Sequence, residues 1–135
     1  MKLHNILWIE DDPKIVENIT ESFSEAKDEK GYNVMPTHFL SLEDLENDPH
    51  LEISSITMAL ICVDYNLPGG FNGNDVIKKI RSYKANKNVT IIFYSFAKNE
   101  TELKQIMENS IEDISNIFFV HQNDLEDRII LILEE

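Results

Sequence analysis

The sequence holds a single cysteine, Cys62, so no disulfide can close within the chain. That thiol sits in an apolar run, where it reads as a small buried hydrophobe. Basic residues are scarce, with 12 Lys and Arg against 25 Asp and Glu, for a net charge of −13. A field of that sign repels nucleic acid and anionic membrane, so no direct contact with either is expected; it favours cations and basic patches on protein partners. No apolar run approaches the roughly 20 residues that a membrane span needs, and no N-terminal signal pattern is present, so a cytoplasmic location is expected. Linkers, low-complexity tracts and internal repeats are missing too. With 42% apolar residues, residues 1–135 read as one domain with its own core.

What the chain does have is a regular alternation of strand-like and helix-like segments. Residues 3–9 form a first strand. Asp12 and Pro13 supply an N-cap and a first-turn proline. Ile15, Ile19 and Phe23 then recur at four-residue spacing on a helix that ends before Gly31. A short strand over Tyr32–Met35 and a helix over Leu40–Leu51, with an irregular exit at Pro49, follow. Residues 56–63 are almost continuously apolar, as in a strand covered on both faces. Asp75–Tyr83 carries Val76, Ile77 and Ile80 at helical spacing, and Val89–Tyr94 is a fourth strand. Asn99 and Glu102 resemble a capping box for a fourth helix. Ile117–Val120 is a fifth strand, and Asn123 with Glu126 repeats the cap signature before a final helix bearing Ile129, Ile130 and Leu133. Five strands alternating with five helices predict a parallel sheet with helices on both faces.

Acids gather where two of these strands stop. Ile6-Leu7-Trp8-Ile9 empties into Glu10-Asp11-Asp12-Pro13, and Ala59-Leu60-Ile61-Cys62-Val63 empties into Asp64 and the turn-rich Tyr65–Gly70. The carboxyl ends of strands are where open α/β sheets place their ligand sites. If the two strands adjoin, four carboxylates converge, and a hard divalent cation would take up their charge. Taken singly, Glu10, Asp11 and Asp12 could complement a helix N-terminus, a role that suits Asp12. Asp64 alone could cap a turn ahead of Pro68 and Gly69. It is the pairing of the two acidic strand ends that points to a site.

In order and spacing, these residues resemble the receiver domain of two-component response regulators over essentially the whole chain. Glu10-Asp11-Asp12-Pro13 resembles the family's acidic cluster, Asp64-Tyr65-Asn66-Leu67-Pro68 its phosphoacceptor strand end, and Ser95 its Thr/Ser switch position. The resemblance implies a flavodoxin-like α/β fold with strand order 2-1-3-4-5. It implies Mg²⁺ (or Mn²⁺) held by Glu10, Asp11, Asp64 and the main-chain carbonyl of Asn66. It also implies phosphoryl transfer to Asp64 from a histidine kinase or phosphotransfer protein, with the domain a phosphoacceptor and not an enzyme. Ser95 would hydrogen-bond the phosphoryl group. Phe118, otherwise a sheet residue like Phe119, would be the aromatic that moves with it. Output would pass to an unidentified effector protein through the fourth helix, fifth strand and fifth helix.

Three features depart from that family. His121 stands where it carries a lysine, and an imidazole is shorter and, with an ordinary pKa of about 6.5, only partly cationic at neutral pH. It either substitutes for the lysine or merely ends a strand; Lys98, in the neighbouring loop, is a conceivable replacement. Phe96 follows Ser95 where many members carry a small residue, which would narrow access for small phosphodonors and water. The loop Pro68–Gly73 is one residue longer than usual. Two alternatives therefore stand beside the phosphoacceptor: an interaction module indifferent to phosphorylation, and a phosphohydrolase. The latter chemistry usually has a second acid two residues beyond the nucleophile, where this chain has Asn66.

Overall fold

The computed structural model describes residues 2–30 and 32–134; Gly31, the expected helix stop, lies outside them. Five strands, β1 (Lys2–Ile9), β2 (Tyr32–Phe39), β3 (Leu60–Asp64), β4 (Ile91–Ser95) and β5 (Ile117–His121), alternate with five helices. The helices are α1 (Pro13–Lys30), α2 (Leu42–Asn47), α3 (Gly73–Arg81), α4 (Glu100–Ser110) and α5 (Leu125–Leu133). All strand pairs are parallel, in the order β2-β1-β3-β4-β5. That is the flavodoxin-like order expected from the sequence, with its topological switch between β1 and β3.

The period of two along each strand splits the core. Ile6, Trp8, Cys62, Ile92 and Tyr94 pack beneath α1 and α5 through Val16, Phe23, Leu125 and Ile129. Leu7, Ile9, Val63, Ile91 and Phe93 face α2, α3 and α4 through Leu45, Ile77, Ile80, Leu103 and Met107. Every residue of β3 and β4 is buried, which is why those segments read as unbroken apolar runs. Each fully buried aliphatic or phenyl side chain contributes about 1.5–3 kcal/mol.

Several boundaries differ from the sequence expectation, each for a local reason. β2 runs on through Pro36 to Phe39 because it is the edge strand, where a missing N–H costs least. α2 is shorter than Leu40–Leu51: Ser41 caps it, and the Asp48 carboxylate turns the chain by accepting the N–H groups of His50 and Leu51. The apolar run at 56–63 begins outside the sheet. Ile56 donates its N–H to Asn86 Oδ1 at 2.8 Å, so this stretch is a buried approach held by a side chain, and β3 starts at Leu60. α3 spans Gly73–Arg81, not Asp75–Tyr83, because Asp75 accepts the N–H of Asn72 and starts the helix earlier. The capping box of Asn99 and Glu102 is as expected. The cap expected at Asn123 is not there: a 3-10 turn spans Gln122–Asp124, and His121 Nδ1 takes the Asn123 N–H.

Candidate functional site

β1 and β3 adjoin, with Ile9 opposite Val63, so Glu10 and Asp64 leave the sheet side by side. Glu10, Asp11 and Asp64 bring carboxylate oxygens within 4.8 Å of one another. Asp12, the fourth acid of the two strand ends, accepts the Lys14 N–H at 3.0 Å and caps α1, the role its place before Pro13 suggested. Glu10 and Asp64 are 1% and 6% exposed, while Asp11 faces solvent, so the cluster is a buried pair opened to water on one side.

Each acid is held by the chain around it. Glu10 Oε2 accepts the Asp12 N–H at 3.0 Å and Oε1 accepts the Tyr94 hydroxyl at 2.9 Å. Its carbonyl accepts from His38 Nε2 at 2.6 Å, and its N–H donates to Phe39 O at 3.0 Å, tying the strand end to β2. Asp64 Oδ1 accepts the N–H of Asn66, an exposed residue, at 3.4 Å. Beyond it, Tyr65 donates to Tyr94 O at 2.9 Å and accepts from the Gly73 N–H at 2.8 Å, pinning both ends of the intervening loop. Gly73 has to be glycine, because a Cβ there would run into the Asp64 carbonyl oxygen and approach Phe93 Cε1 to 2.8 Å. Gly69 and Gly70, at φ 84° and 82°, carry the long loop through a left-handed turn.

Two crowded, buried carboxylates cannot both ionise cheaply. Burial, and then the neighbouring Glu10 charge, push Asp64 from its ordinary 3.8 up to about 8. Glu10 is raised as well, chiefly by burial, against the stabilising bonds from the Asp12 N–H and the Tyr94 hydroxyl. The arrangement suits a small hard cation, which takes oxygen donors and keeps several waters. Three carboxylates, one open to solvent, offer that donor set.

The other residues expected at the site lie on β4 and β5. Ser95 is fully buried, and its Oγ accepts the N–H groups of Ala97 and Lys98 at 3.1 and 3.2 Å. With both acceptor positions taken, what it can offer an incoming group is its O–H. His121 is paired with Ser95 in register. It donates Nε2–H to Phe96 O at 2.8 Å and accepts at Nδ1 from the Asn123 N–H at 3.1 Å. Phe96 is 66% exposed, with its ring 5.8 Å from that imidazole. Lys98 Nζ lies 5.1 Å from the ring of Tyr65, the residue after Asp64. Phe118 lies on the α5 side of the sheet, 5.5 Å from the Arg128 guanidinium, whereas Phe119 packs on the opposite side against Phe93. Tyr94 and His38 were not singled out from the sequence: nothing local marks a strand tyrosine or an edge histidine as reaching Glu10.

Eighty-six chains of solved structures match this one. The chain has the receiver-domain fold. The Salmonella typhimurium response regulator RcsB matches at 20% identity and TM-score 0.66, over 99% of this chain and 59% of its own, so this chain spans about three fifths of its length. A phosphorylated cyanobacterial phytochrome response regulator, RcpA, matches at 18% identity and TM-score 0.64, over 98% and 90% of the two chains. The receiver domain of a Pseudomonas aeruginosa sensor histidine kinase, with a magnesium ion coordinated in its active-site cleft, matches at 20% identity and TM-score 0.60, over 96% and 95%. No protein-family model matches the chain, and no curated protein matches it in sequence. Among the described residues no helix is long and apolar enough to cross a membrane.

Proposed function

We propose that residues 1–135 are a response-regulator receiver domain that accepts a phosphoryl group on Asp64 and signals by altered protein binding. The observation that carries this reading is the placement of Glu10, Asp11 and Asp64, with oxygens within 4.8 Å, at the β1/β3 switch point of a receiver fold. In this reading Glu10, Asp11, Asp64 and the Asn66 carbonyl hold Mg²⁺ or Mn²⁺. When bound, the cation offsets repulsion between the carboxylate and an incoming phosphoryl group. An Asp64 oxygen forms the new bond to phosphorus while the P–N bond of a phosphohistidine breaks, and the leaving imidazole keeps the electron pair and takes up a proton. The donor is a histidine kinase or phosphotransfer protein. Ser95 gives its O–H to a phosphoryl oxygen, which draws the loop it holds at Ala97 and Lys98 toward the site. Phe118 and the β5–α5 face carry the change to an effector protein.

One observation favours a second reading, a module that binds partners regardless of phosphorylation. Both His121 nitrogens are committed to Phe96 and Asn123, so the residue at the family's lysine position has no donor free for a phosphoryl group. Beryllofluoride, or a small-molecule phosphodonor, with and without Mg²⁺ separates the two. A Mg²⁺-dependent adduct that is lost in Asp64→Asn, with amide shifts spreading to Ser95 and Phe118, supports the phosphoacceptor. Metal binding without adduct or propagated shifts supports the module and sinks the nucleophile assignment.

A further inference from the structure

We propose that Tyr94 is a positioning residue of this site, holding the Glu10 carboxylate in place for a divalent cation; the inference rests on the metal-binding reading above. The Tyr94 side chain is fully buried, and its hydroxyl donates to Glu10 Oε1 at 2.9 Å. The other Glu10 oxygen takes the Asp12 N–H at 3.0 Å. One donor on each oxygen removes rotational freedom that a glutamate would otherwise lose on binding a cation.

The placement of Tyr94 in the sheet adds to the argument. It lies on β4, with β3 between it and β1, so the phenol crosses beneath β3 to reach Glu10. Its register partner on β3 is Asp64, and its carbonyl accepts the N–H of Tyr65 at 2.9 Å. A single residue therefore fixes the Asp64 strand end through its backbone and the Glu10 carboxylate through its hydroxyl. That sets the spacing of the two buried acids. A phenylalanine would fill the same volume under Trp8 and Cys62, so the hydroxyl is not there for packing.

Mn²⁺ binding to the full chain, read from the electron paramagnetic resonance signal of free ion, tests the role in five proteins: the parent, Tyr94→Phe, Glu10→Gln, the double variant of these two, and Asp64→Asn. Tyr94→Phe is expected to weaken binding by about tenfold or more, as loss of a residue that orients a ligand does. In the Glu10→Gln background the same substitution is expected to cost nothing further, because the hydroxyl acts through the carboxylate. Unchanged or tighter binding by Tyr94→Phe overturns the proposal, as does an equal penalty in both backgrounds. Asp64→Asn keeps the two readings separable. If the parent binds no Mn²⁺, or binds it no better than Asp64→Asn, the metal site itself fails; loss in Asp64→Asn with none in Tyr94→Phe removes only Tyr94. Should Tyr94→Phe not fold, ¹³Cζ-tyrosine labelling of the parent replaces it. The Tyr94 signal, one of four and assigned with Phe at the other three, must shift on saturation with Mg²⁺. No shift in a protein that binds Mg²⁺ overturns the proposal.

Discussion

Asp64→Asn should make the metal-free protein more stable, and the gain should depend on pH. Asp64 is an acid whose folded value, about 8, lies above its ordinary 3.8, so the folded chain keeps a proton that the unfolded chain gives up. Stability is therefore undiminished below about pH 4 and falls steadily as pH rises toward 8. Over the interval from 3.8 to pH 7, at about 1.4 kcal/mol per pH unit, the penalty comes to ~4 kcal/mol. Glu10 carries part of the same burden, since the two acids titrate together, so Asn at position 64 should recover ~2–4 kcal/mol at pH 7. For a chain of this length that is a rise in Tm of roughly 10 °C. Thermal melts of both proteins in chelator, from pH 4 to 8, would show the gap opening with pH. Saturating Mg²⁺ should close much of it by stabilising the parent through binding. A variant no more stable than the parent at pH 8, or a gap independent of pH, would refute the crowded-acid account.

Gly73→Ala should lose about 1–3 kcal/mol in urea denaturation, since its Cβ would push on the Asp64 carbonyl and Phe93; an unchanged midpoint would mean that the β3 end yields freely. Asn86→Ala should lose ~2–4 kcal/mol, because the buried amide accepts from Ile56 and donates to Ile53 and Ile80. Hydrogen exchange over residues 53–60 should speed up in that variant, and unaltered protection there would contradict the tether. His121→Lys should release the Phe96 carbonyl and the Asn123 N–H and strengthen the amide-shift response to beryllofluoride along β5 and α5. An unaltered response would move attention to Phe96 or to the loop Pro68–Gly73.

The fold was legible because its main determinants are local. Leu60–Asp64 and Ile91–Ser95 are buried on both faces and so are apolar at every step but the last residue. The Asn99–Glu102 box announces α4 by itself. Where the boundaries slipped, a long-range or side-chain interaction set them. Asn86, 30 residues from Ile56 in sequence, supplies the acceptor that keeps the start of an apolar run out of the sheet. Pro36 reads as a strand breaker until the strand is known to lie at the edge. His121, not Asn123, takes the N–H that shapes the entry to α5, because an imidazole at a strand end can do what an asparagine cap does.

The acids of the site were legible for the opposite reason: they announce themselves by being costly. Glu10 and Asp64 follow apolar runs directly, and a carboxylate in such a place must either be relieved by a ligand or hold its proton. Tyr94 offered no such signal. In the sequence it is one more aromatic residue in a buried strand, and its hydroxyl becomes meaningful only when parallel pairing sets Asp64 against Tyr94 and Val63 against Ile9. Asp12, next to the site acids in sequence, is set apart by the Pro13 that follows: its carboxylate caps the first turn of α1, as that dipeptide suggests. Charge is visible residue by residue, whereas hydrogen-bond partnership across strands depends on register. The acids of such a cluster are thus easier to read from sequence than the residues that hold them.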